Sequence, residues 1–202
     1  MSFGKGLSRK PSQPKGRQLE EAALAEVRAL LGEEPRRRDL LIEHLHKIQD
    51  ATGCLEARHL KALADEMRLS QAEVYEVASF YHHFDIVRED QQKPAPLTVR
   101  VCDSIACSLR GADALAGVLE SGMDPARVRI QKVPCIGRCA GAPAVQVGKR
   151  AIDNATELSV RSAIQDGETT PLVPDYVALD AYRTDGGYKL LERVRDGKLD
   201  AA

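Results

Sequence analysis

Four cysteines fall into two tight pairs, Cys102-x4-Cys107 and Cys135-x3-Cys139, separated by 27 residues, and they are the side chains in this sequence best suited to chemistry. Thiolates are the ligands that iron–sulfur clusters require, and a short spacer lets one loop present two sulfurs to one iron. Each pair can then hold one iron of a [2Fe–2S] cluster. Two ferric ions, two sulfides and four thiolates give a formal charge of about −2, which backbone N–H donors and exclusion of water would stabilise. Gly111, Gly137 and Gly141 lie beside the cysteines, where a missing side chain lets the backbone approach sulfur, and Arg110 and Arg138 would add positive potential. A zinc ion bound by the same four thiolates is the competing assignment, although zinc sites more often use two-residue spacers. A dithiol oxidoreductase would need a Cys-x-x-Cys, and the sequence has none.

The fifth cysteine, Cys54, has no close partner in sequence and is expected to be a small buried apolar residue. His44, His46, His82 and His83 stand one residue or two apart within each pair. Neighbours at that spacing on a helix do not share a face, so packing or surface roles are expected for them. An odd count of five cysteines in a chain without a secretory signal favours metal or redox roles over disulfides.

These cysteines need a scaffold. From Gln18 to Val87 apolar residues recur at helical spacing: Leu24, Val27 and Leu31; Leu41, Leu45 and Ile48; Leu60, Leu63 and Met67; Val74, Val77 and Tyr81. Four helices are predicted, with Gly32 and Gly53 at helix ends and a capping box of Ser70 and Glu73 opening the fourth. Lys93-Pro94-Ala95-Pro96 breaks the pattern. Beyond it Leu97–Val101 reads as a strand, Ala112–Glu120 as a helix, Val128–Val133 and Ala144–Val147 as strands, and Thr156–Gln165 as a closing helix.

The expected fold class is therefore α+β, a four-helix bundle followed by a thioredoxin-like α/β domain. Cysteines placed just after the first and second strands would emerge at one end of the sheet and converge. The expected organisation is a mobile basic tail over 1–17, the helical bundle over 18–92, the cysteine-bearing domain over 93–167, and a linker from 168 to 202 ending in a short helix at Leu190–Arg195. The tail contains Lys5, Arg9, Lys10, Lys15 and Arg17 and no acidic residue, which also fits a docking arm for an acidic neighbour.

A formal charge of −1 gives no electrostatic footprint for nucleic acid. No apolar run is long enough for a membrane span, and residues 1–18 have no apolar core like that of a secretory signal, so a soluble, cytoplasmic protein is expected. No residue has the setting of a catalytic acid, base or nucleophile, and no glycine-rich phosphate loop is present to hold a nucleotide cofactor.

The stretch LIEHLHKIQDATGCLEARHLKALADEMRLSQAEVYEVASFYHHF, followed by VCDSIACSLRGADAL and PCIGRCAGAPAVQVG, resembles the thioredoxin-like [2Fe–2S] subunit of respiratory complex I. The same module occurs in NAD-dependent hydrogenases and NAD-dependent formate dehydrogenases. The resemblance runs from about Gln18 to Gln165 and implies one [2Fe–2S] cluster with Cys102, Cys107, Cys135 and Cys139 as its ligands. It also implies two partners, a flavoprotein that binds FMN and NADH and a larger iron–sulfur or catalytic subunit, with FMN and NAD held there and not on these residues. Tyr182–Leu191 (YRTDGGYKLL) is similar to the opening of that flavoprotein. Together with VCDSIACSLRGADAL it most resembles the front of the fused iron–sulfur and flavin subunit of NAD-dependent formate dehydrogenase.

Overall fold

The computed structural model describes residues 16–199. Residues 1–15, most of the expected basic tail, lie outside the described residues. Two compact units are present, one ending at Thr169 and one beginning at Thr170.

The first unit opens with helices α1 (Glu21–Leu31), α2 (Leu41–Thr52), α3 (Ala57–Met67) and α4 (Gln71–Phe80). Their stripes at three- and four-residue spacing meet in one cluster built on Leu24, Val27, Leu31, Leu45, Ile48, Leu63 and Val74. Gly32 and Gly53 end α1 and α2 with φ of 51° and 78°, and the Ser70–Glu73 capping box is complete. Tyr81, expected on the last helical turn, is instead extended beyond α4 and 43% exposed. The chain turns there to bring Phe84 back under the bundle. His82 and His83 consequently lie in a turn and not on a helix, so the helical spacing expected to separate them does not apply. A parallel pair of two-residue strands, β1 (Leu55–Glu56) and β2 (Ile86–Val87), ties the ends of the bundle together and has no sequence period to announce it.

A four-stranded sheet follows in the order β4-β3-β5-β6, where β3 is Leu97–Cys102, β4 Val128–Val133, β5 Val145–Val147 and β6 Arg150–Ile152. β3 pairs parallel with β4 and antiparallel with β5, and β5 pairs antiparallel with β6. The N-terminal helices and this mixed sheet make the α+β, thioredoxin-like architecture expected. β6 was not expected; Val147-Gly148-Lys149-Arg150 makes a two-residue hairpin in which Gly148 takes φ 58°. A short helix α5 (Ile105–Leu109) precedes α6 (Ala112–Gly122), which packs on β3 and β4, and α7 (Glu157–Gln165) packs on β5. Val99, Val101, Ala116, Leu119, Val145 and Val160 form the buried cluster on that face.

The opposite face meets the bundle through polar groups. The Arg129 guanidinium donates to both Asp85 oxygens at 2.8 and 2.6 Å, Lys149 pairs with Asp50, and Arg100 donates to the His83 carbonyl at 3.0 Å.

The second unit has no regular structure until α8 (Leu179–Thr184), which occupies the end of the stretch expected to be linker, followed by α9 (Lys189–Arg195). Neither helix buries a residue. Among the described residues no helix is long and apolar enough to cross a membrane.

Candidate metal centre

The parallel register of β3 and β4 sets Cys102 directly opposite Val133, so both strands deliver their C-terminal ends to the same edge of the sheet. Cys102 is the last residue of β3, and its N–H donates to the Ala144 carbonyl at 3.1 Å. Cys107 sits on α5, one turn after Ser104, whose carbonyl accepts its N–H at 2.8 Å. Cys135 lies in the loop two residues beyond β4, and Cys139 opens a 3-10 turn, Cys139–Gly141. The sulfurs of Cys135 and Cys139 are 3.5 Å apart, and Cys102 and Cys107 are near enough for each thiol to shift the other's pKa. Cys102 and Cys107 are buried, whereas Cys135 and Cys139 are exposed. The thiols therefore stand two and two. Among the described residues, no three His, Cys, Asp or Glu side chains draw together as the shell of a single ion.

Backbone donors surround the sulfurs. The Gly137 N–H donates to Cys135 Sγ at 3.4 Å, in a loop that Gly137 can form because it adopts φ 81°. Burial would raise the Cys102 thiol pKa, but hydrogen bonds from the Ser104 and Ile136 backbone and from Cys107 outweigh it and lower the pKa. Burial raises that of Cys107, and the charges of Cys102 and Cys139 push it further up. Cys139 is raised chiefly by its neighbour Cys135. Thiols that oppose one another's ionisation in this way suit cationic iron, whose charge deprotonates a coordinating thiol. The donor set fits a [2Fe–2S] cluster.

Gly141 is constrained differently. A Cβ there would lie 2.5 Å from Asp153 Cβ, so this turn can close against Asp153 only with glycine. Asp153 in turn holds Arg138 through two contacts of 2.5 Å. The positive potential expected of Arg138 is offset locally by its pairing with the Asp153 carboxylate. Arg110 is exposed to solvent. Asp153 had no sequence signal, since the contact spans 15 residues and depends on the hairpin before it.

Cys54 is fully buried in the helical part, away from the sheet edge, and burial raises its thiol pKa. His44 is also fully buried, with Nε2 at 3.1 Å from the Pro35 carbonyl. The rings of His46 and His83, 37 residues apart in sequence, pack at a 45° tilt with centroids 4.6 Å apart. Burial, with the charges of Arg100 and His46, depresses the His83 pKa to about 4. The unfolded chain therefore binds a proton at this residue between about pH 6.5 and 4 that the folded chain refuses, and stability falls as pH drops through that window. His83→Gln is expected to flatten that part of the stability profile, measured by denaturant unfolding at stepped pH; an unaltered slope would exclude His83 as its source.

Residues 27–168 match the family described as thioredoxin-like [2Fe-2S] ferredoxin. The chain belongs to this family. Its members bind one [2Fe–2S] cluster, and the chain is accordingly an iron–sulfur electron-transport protein of thioredoxin-like fold. It is 35% identical over 142 residues to an NADH-quinone oxidoreductase subunit of Aquifex aeolicus, a match covering 66% of this chain and 82% of that one. It is 29% identical over 140 residues to HndA, a subunit of the NADP-reducing hydrogenase of Solidesulfovibrio fructosivorans, covering 65% and 79% respectively. The solved structure of an NAD+-reducing [NiFe]-hydrogenase in the air-oxidized state superposes with a TM-score of 0.51 at 21% identity, over 75% of this chain and 29% of that chain. That likeness establishes the fold.

Proposed function

We propose that Cys102, Cys107, Cys135 and Cys139 hold one [2Fe–2S] cluster and that the chain is the one-electron module of an NAD-linked multisubunit oxidoreductase. The observation that carries this is the β3–β4 register, which brings the two cysteine pairs to one sheet edge. When bound, a [2Fe–2S] cluster stores a single electron, which suits it to a place beside a flavin whose exchange with NAD(H) involves two. The residues of this chain fix the thiols, donate N–H groups to sulfur and keep Cys102 and Cys107 away from water. FMN, NAD and the acid–base chemistry belong to partner chains, a flavoprotein and a larger catalytic subunit. The relatives named as parts of a quinone oxidoreductase and a hydrogenase support this placement.

The finer assignment is a component of NAD-dependent formate dehydrogenase. It is supported by the resemblance of residues 182–191 to the start of the flavoprotein and of VCDSIACSLRGADAL to the fused subunit. Formate-dependent NAD+ reduction by the purified assembly supports it, whereas activity with hydrogen or quinone in its place reassigns the donor.

Anaerobically purified protein is expected to contain about two irons and two acid-labile sulfides per chain and, after dithionite, to give a spin-half EPR signal. Colourless protein with zinc, no sulfide and no signal would make the chain a structural docking module and overturn the proposal.

A further inference from the structure

Five buried side-chain atoms among the described residues have no hydrogen-bond partner, and three of them, His83 Nε2, Arg100 Nε and Gln131 Oε1, occur at the seam between bundle and sheet. Arg100 is the centre of a row. Its register partner on β4 is Gln131 and on β5 is Gln146, so the three side chains leave the same face of the sheet. A groove of about 500 Å³ is lined by Arg100, His83 and Gln146 together with Pro134, Cys135 and Ile136.

Arg110 is exposed to solvent, and three other cations near this edge are paired. Arg138 is held by Asp153, Lys132 by Asp113, and Arg129 by Asp85. Arg100 is 6% exposed and donates only to carbonyl oxygens, of His83 at 3.0 Å and Gly148 at 3.5 Å. Asp85, the carboxylate whose field reaches it, is already engaged through both oxygens by Arg129. Among the described residues Arg100 has no ion pair. A guanidinium does not shed its proton, so a buried positive charge is retained here without an anion, at a cost in folding free energy.

We infer that Arg100 sets the reduction potential of the centre, its uncompensated buried charge stabilising the negative charge that the site gains on reduction. This rests on the proposal that the four cysteines hold a [2Fe–2S] cluster. Reduction by one electron takes the formal charge from about −2 to about −3. A fixed cation in a poorly screened position favours the more negative state and raises the potential. The two carbonyls hold the guanidinium in place, making Arg100 a positioning charge and not a ligand.

The test is an EPR-monitored redox titration of the full chain, with iron and sulfide counted in every sample. Arg100→Gln is expected to shift the midpoint to more negative potential, while Arg100→Lys, which keeps the charge and loses the fork, stays close to the parent protein. Gln146→Glu places a carboxylate beside Arg100 in register and is expected to shift the midpoint in the same negative direction. Because the new carboxylate also acts on the centre directly, Arg100→Met, which removes the charge and keeps an unbranched stem, is the deciding variant if Arg100→Gln does not retain iron. An unchanged midpoint in iron-loaded Arg100→Gln or Arg100→Met would overturn the inference, as would equal shifts in the Gln and Lys variants, which would assign the effect to geometry. Absence of a cluster signal in the parent protein would overturn the cluster proposal and this inference with it.

Discussion

Cys102→Ser is expected to remove most of the iron and acid-labile sulfide from the purified protein while leaving the helices and sheet folded. Cys102 is buried at the end of β3, and the nearby Ser104 and Ile136 backbone lowers its thiol pKa against the opposing effect of burial, in the direction of the thiolate that metal ligation needs. A serine hydroxyl is close in size but far harder to deprotonate and is a poor donor to iron beside sulfide. Packing loses little, since one group of similar volume replaces another at the end of β3. Cys54→Ser is the control: Cys54 is equally buried but lies in the helical part, and its replacement is expected to leave iron and sulfide unchanged. Cys139→Ser should behave like Cys102→Ser although Cys139 is exposed, because ligation, and not burial, is what the two share. Metal and sulfide analysis alongside circular dichroism reads all three. Full iron and sulfide in both Cys102→Ser and Cys139→Ser would refute the ligand assignment.

Asp85→Ala is expected to destabilise the protein by about 2–4 kcal/mol, somewhat below the full cost of breaking a buried ion pair because the Arg129 side chain keeps 28% exposure. Asp85 joins the two halves of the first unit. Its carboxylate takes two hydrogen bonds from Arg129 on β4, its N–H donates to Gln49 Oε1 at 2.7 Å, and its carbonyl accepts from Leu55 at 2.7 Å. Removing the carboxylate leaves the backbone contacts in place but strands Arg129 near the already unpaired Arg100. The measurement is denaturant unfolding of Asp85→Ala, Arg129→Ala and the double variant, whose cycle isolates the pair. A loss below about 0.5 kcal/mol in Asp85→Ala would show that the backbone contacts alone join the halves.

The long helices could be read from sequence because each repeats its apolar residue three or four times along one face. Leu24, Val27 and Leu31 are buried together, as that spacing requires. Caps were legible for the same local reason, Ser70 and Glu73 being three residues apart. Elements of two or three residues were not, because Leu55–Glu56 and Ile86–Val87 are too short to show a period and form only by meeting each other. α5, Ile105–Leu109, is little more than one turn around Cys107 and left no apolar stripe.

The sequence by itself determined the α+β order of elements, the two cysteine pairs and their position at the ends of two strands, although Cys102 is itself the last residue of β3, because each depends on residues close together in the chain. Tertiary structure alone decided how those pairs are surrounded. Asp153 cancels Arg138, while Asp85 satisfies Arg129 and leaves Arg100 without an anion. Charge near a centre is a sum over partners brought together across 15 to 44 residues, and no local pattern encodes which carboxylate reaches which cation.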